Sequence, residues 1–148
     1  MRTVAWATLA AMVIASTAQA APDVLAAWSR PAAQGTTGVG FLTLENPGAR
    51  PDALLSVETS GARQVQIHQS SVSGGMASMQ MVSRVPLPAG SRVTFAPGGY
   101  HLMFLGLTKR LQIGDSLSAT LVFASGERIK ARFWVGISAP KSASEARR

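Results

Sequence analysis

The stretch "GGYHLMFLGL", residues 98–107, decides how this chain folds. Paired glycines tolerate positive φ and close backbone approach, so residues 98 and 99 read as a sharp turn that delivers the chain into a strand. Along a strand alternate side chains share a face, so His101 and Met103 point one way while Leu102 and Phe104 point the other. Tyr100 falls on the same side as Phe104, and both read as core. The sequence contains only two histidines, and it places one of them here, next but one to a methionine.

Working outward from this strand, glycine, proline and short apolar segments recur through the chain, and no window sustains a helical period with caps. Strands are predicted at 24–28, 38–45, 53–59, 63–69, 79–85, 91–95, 101–107, 115–123 and 128–135. Turn material such as "ENPGARPD", "LPAG", "APGG" and "ASGE" separates them. "FASGERIKARF" reads as a hairpin turning at Ser125-Gly126. With no helices to make parallel crossovers, the chain is all-β and suits a β-sandwich or Greek-key barrel. At 148 residues and 47% hydrophobic content it can bury one core, and it shows neither an internal repeat nor a second domain.

The first twenty residues, "MRTVAWATLAAMVIASTAQA", have a positive charge at Arg2, an apolar run, and Ala18-Gln19-Ala20 at the end. That is the form of a secretory signal peptide cleaved after Ala20. The run is interrupted by Ser16, Thr17 and Gln19 and is short for a bilayer span of roughly 20 residues. The expected organisation is signal peptide 1–20, β domain 21–136 and flexible tail 137–148. The exported product is expected to be periplasmic and not membrane-spanning. No cysteine is present, so stability has to come from packing and backbone pairing rather than disulfides. A net charge of +7 could suit nucleic acid, but the basic residues are scattered and few aromatics accompany them. A solvated basic face, with no nucleic-acid partner, is the expectation.

Outside the leader, every methionine (Met76, Met79, Met81, Met103) and both histidines (His68, His101) fall between residues 68 and 103. Methionine is ordinarily dispersed as a gap filler, so the clustering asks for an explanation. Imidazole nitrogen and thioether sulfur are neutral donors of borderline and soft character, a combination that suits Cu(I) far better than Mg, Ca or Mn. Zinc sites favour thiolate, imidazole and carboxylate. For His101 and Met103 alone, the competing reading is a core histidine packed beside a methionine.

The spacing is H-x10-M-x21-H-x-M, from His68 through Met79 to His101 and Met103. It resembles the signature of the periplasmic copper chaperones of the PCu(A)C family. "AWSR" (27–30), "GVGFLTLEN" (38–46), "QIHQS" (66–70), "GGMASMQMV" (74–82), "VPLPAGSRVTFAPGGYHLMFLGL" (85–107) and "LQIGDSLSATLVFASGERIKARF" (111–133) are also similar to family blocks. The resemblance implies a cupredoxin-like β-barrel holding one Cu(I) through His68, Met79, His101 and Met103. It also implies delivery to the CuA centre of the copper-bearing subunit of cytochrome c oxidase, or to another copper chaperone. Two departures are visible: Gln69 stands where many members carry a methionine, and the tail "KSASEARR" lacks the His- and Met-rich extension of some members. Met76 and Met81 are auxiliary candidates, each read in the first instance as packing. Lys109 and Arg110, in the turn after the ligand strand, are candidates for docking an acidic partner.

Other classes fit less well. An enzyme is not expected, since there is no cysteine nucleophile and no histidine outside the candidate site to serve as a separate base. A blue-copper electron carrier needs a thiolate that this chain lacks. The retained alternative is an exported β-sandwich interaction module without metal.

Overall fold

The structure, a computed structural model, describes residues 19–141. The expected signal peptide, apart from its last two residues, and the tail from residue 142 onward lie outside the described residues. Ten strands form between them: β1 (Asp23–Ser29), β2 (Gly38–Glu45), β3 (Asp52–Glu58), β4 (Ala62–Ser73), β5 (Met76–Met81), β6 (Val85–Leu87), β7 (Arg92–Thr94), β8 (Tyr100–Leu107), β9 (Ser116–Phe123) and β10 (Arg128–Val135). The expected all-β class holds.

One hydrogen-bonded path runs β5-β4-β8-β2-β1-β10-β9-β3-β6, with β7 added on β2. The β1–β10 pair is parallel, and the other named pairs are antiparallel. Its two ends are β5 and β6, which only residues 82–84 connect. Such a link reaches about 14 Å at most, whereas nine strands side by side in a flat sheet would span roughly 38 Å at about 4.8 Å per strand. The path therefore curls until its ends approach, giving the cupredoxin-like barrel.

The core lies inside this curl. Phe104 of β8 and Phe133 of β10 meet edge to face at 5.4 Å between ring centroids, although two strands separate β8 from β10 along the path. Phe95, Phe104, Phe123 and Phe133 are all essentially inaccessible to solvent, and burying each contributes about 1.5–3 kcal/mol. The ion pairs Arg92–Glu45 and Arg128–Glu58 are both well exposed, where solvent screening leaves such pairs little net worth. Packing, not charge, holds the barrel.

Two expectations need correction. Residues 79–85, read as one strand, divide into β5 and β6, because the chain leaves one end of the sheet after Met81 and enters the other at Val85. Residues 70–78, which lie between the strands predicted at 63–69 and 79–85, form a hairpin. β4 runs on to Ser73, Gly74 and Gly75 adopt φ of 58° and 77°, and Ser73 pairs with Met76. Two central residues with positive φ are what a tight two-residue hairpin turn requires.

Gly40 on β2 is the floor on which Phe104 rests, since a Cβ there would lie 2.5 Å from the Phe104 ring and 3.3 Å from that of Phe133. Gly40→Ala is expected to lower unfolding free energy by about 1–3 kcal/mol, the usual cost of overpacking a filled core. Urea denaturation followed by tryptophan fluorescence measures it; unchanged stability would mean that the ring stack has room to move.

Candidate metal centre

The histidines and three of the four methionines among the described residues share the outer face of the sheet, opposite the core. β4 pairs with β8 so that Val65 faces Phe104 and Ile67 faces Leu102 on the inner side. The alternate positions then set Gln66 beside Met103 and His68 beside His101 on the outer side. β5 pairs with the other edge of β4, placing Met81 beside His68 and Met79 beside Ser70. Met81, His68 and His101 thus form a row across three neighbouring strands, with Met79 and Met103 two residues from its ends. Met76 pairs with Ser73 and falls on the opposite face.

The turn ahead of β8 fixes His101. Gly99 N–H donates to the Ala96 carbonyl at 3.0 Å, Pro97 and Gly98 are the central residues, and Gly98 has φ of 87°; this is a type II turn. The carbonyl of Gly99 then accepts from Ser70 N–H at 3.0 Å and from His101 Nδ1 at 3.1 Å. His101 is 5% exposed, and with Nδ1 carrying the proton its Nε2 presents a lone pair.

Gln66 does the equivalent for His68. Its Oε1 accepts from His68 Nε2 at 2.9 Å, which leaves Nδ1 unprotonated in the neutral ring. That Nδ1 is buried and has no hydrogen-bond partner. Buried polar atoms are nearly always satisfied, so an orphan on the strand position paired with His101 and Met81 marks a place for something else to bind. The two rings stand 5.7 Å apart between centroids, tilted by 56°. Burial, and secondarily the nearby His101, hold the His68 pKa below its usual 6.5, which keeps the imidazole neutral and its lone pair free.

Among the described residues no group of three or more His, Cys, Asp or Glu side chains is placed to hold a metal ion. The donors on this face are two imidazoles and thioethers, which a soft monovalent cation accepts and a hard divalent one does not. Met79, Met81 and Met76 are respectively 54%, 67% and 76% exposed, so the packing role expected of Met76 and Met81 is absent. β5 lies at the sheet edge with every residue exposed. Lys109 and Arg110 do not flank the cluster: they follow the far end of β8, and six residues of strand put Leu107 about 20 Å beyond His101. Gln66 was not among the expected site residues, although lying two before His68 in a strand placed it on the same face.

Comparison with known proteins agrees with this architecture. Residues 22–135 match the family described as "Putative lipoprotein LpqE-like". The chain is 35% identical over 105 residues to "Putative lipoprotein Lxx21020" of Leifsonia xyli subsp. xyli, a match covering 70% of this chain and 63% of that protein's length. Among solved structures, the copper-bound PCuAC domain from PmoF2 is similar with a TM-score of 0.67 and 27% identity, over 82% of this chain and 97% of that one. The solution structure of CuI-DR1885 from Deinococcus radiodurans has a TM-score of 0.60 and 27% identity, over 82% of each chain.

The electrostatics give a prediction with a definite sign. In the apo protein His68 should titrate below 6.5 by NMR, and His101→Phe should move its midpoint up without restoring 6.5, because burial is the larger cause. Between the folded pKa and 6.5 the unfolded chain binds more protons, so apo stability should fall as pH drops through that window. A His68 midpoint at or above 6.5 would contradict the sealed Nδ1.

Proposed function

The chain belongs to the LpqE-like family of PCuAC-type proteins, and from that premise we propose that it is a periplasmic copper chaperone carrying one Cu(I) as cargo. His68 and His101 supply imidazole nitrogen, and Met79 and Met103 supply thioether sulfur. The observation that carries this reading is the buried, unpartnered Nδ1 of His68, held as a lone pair by Gln66 and set across from His101 on a face bearing methionines. Delivery to the CuA centre of cytochrome c oxidase, or to another copper chaperone, is the destination in keeping with the family, and no catalytic turnover is part of the role.

The chemistry is that of a carrier. Both imidazoles are set in the tautomer that leaves one nitrogen free, so the cation meets prepared donors instead of rings that must first turn. All the donors are neutral, so a monovalent cation loses little by leaving for another site of similar softness. The thioethers on β5 stand in solvent, where an acceptor can reach them. Met and His also avoid the disulfide formation that would consume a thiolate in an oxidising compartment.

An anaerobic titration of Cu(I) against a chromophoric competitor tests the reading, run beside a His101→Ala/Met103→Ala variant. One tight equivalent in the wild type that is lost in the variant is expected. Cu(I) at a thousandfold excess over Kd should also stabilise the native state by about 4 kcal/mol, well above any effect of Zn(II). No binding by folded wild-type protein, or equal stabilisation by both metals, would return the chain to the alternative of an exported interaction module without metal.

A further inference from the structure

Met81 occupies a position that the spacing motif leaves out. The motif selects Met79, yet in the β4–β5 ladder the residue directly opposite His68 is Met81, while Met79 is opposite Ser70. Directly opposed residues on one face of an antiparallel pair have Cβ atoms about 4.5–5.5 Å apart, and diagonal neighbours stand about 7–8 Å apart. By register alone, Met81 is nearer to His68 than Met79 is.

Its exposure is the second observation. Met81 is 67% exposed on a strand whose residues are all exposed, and it belongs to no part of the buried core. Large apolar side chains in solvent cost free energy when they cluster, and here Met79 and Met81 do so side by side, on the face that carries both histidines. A thioether on an unbranched, freely rotating chain can reach a cation from such a position without moving the backbone.

We propose that Met81 is a further copper ligand of this site, forming with Met79 a two-thioether arm on β5 whose sulfurs exchange with each other and with Met103 on the cation held by His68 and His101. The proposal rests on the copper reading given above and deepens it. Two sulfurs on the outermost strand let one thioether remain bound while the other is displaced by an incoming donor. Copper then leaves by ligand exchange and is never released as the free ion. Met76, on the opposite face of the same strand, takes no part.

Methionine methyl NMR tests this directly. With ¹³C-methyl-methionine protein and one equivalent of Cu(I) under anaerobic conditions, the methyl signals of Met79, Met81 and Met103 are expected to shift, and that of Met76 to stay. In the competitor titration, Met81→Leu should weaken Cu(I) binding about tenfold, or roughly 1.4 kcal/mol, and Met79→Leu/Met81→Leu should be weaker than Met79→Leu. Met81 is exposed, so these variants are expected to fold, which their unchanged apo spectra would establish. A wild type that binds Cu(I) with the Met81 methyl unmoved, and with Met81→Leu indistinguishable from it, overturns the role of Met81 and leaves the copper reading standing. A wild type that binds no Cu(I) overturns both.

Discussion

Strand β4 is hydrogen-bonded along both edges, and the register of those two ladders is the constraint on which the candidate site depends. It sets His68 opposite His101 on one side and opposite Met81 on the other. Side chains alternate with a period of two, so a slip of one residue would carry His68 to the inner face and Ile67 out. The inner face guards against this: Ile67, Leu102 and Phe104 are all buried there, and exposing them would cost several kcal/mol. Core packing thereby places the donors, although no donor belongs to the core cluster.

The two faces of the same strands accordingly carry different tasks. Inside, aromatic and aliphatic side chains fill a curled sheet with no disulfide to assist. Outside, at one end of β8, two histidines lie among polar and sulfur-bearing neighbours, and each donates a single hydrogen bond from a different ring nitrogen, His101 Nδ1 to the Gly99 carbonyl and His68 Nε2 to Gln66 Oε1. The turn at residues 96–99 serves both tasks. It launches β8 into the barrel, and its last carbonyl ties β4 to β8 while fixing the His101 ring.

Much of this was written plainly in the chain. Alternation over residues 101–107 separates His101 and Met103 from Leu102 and Phe104, and the glycine and proline turns divide the strands near their observed ends. The edge hairpin was harder. Residues 76–81 are exposed on both faces, so no alternation marks them as a strand, although Gly74-Gly75 carried a hairpin signal. Met81, on the face of Met79, read either as lining the site or as packing beneath it; strand pairing sets it across from His68, and its exposure puts it in solvent. Lys109 and Arg110 follow β8 in sequence, but a strand carries its two ends far apart, so these docking candidates stand at the end away from His101. Gln66 needed a known hydrogen bond before its role could be stated.

X-ray absorption at the copper edge of Cu(I)-loaded protein most directly tests whether imidazole and thioether donors share one cation. The expected spectrum contains a sulfur shell together with the outer-shell scattering characteristic of imidazole, both reduced when His101 and Met103 are replaced. A spectrum with only nitrogen and oxygen neighbours, or with sulfur and no imidazole, would contradict a mixed site built on the outer face of β4, β5 and β8.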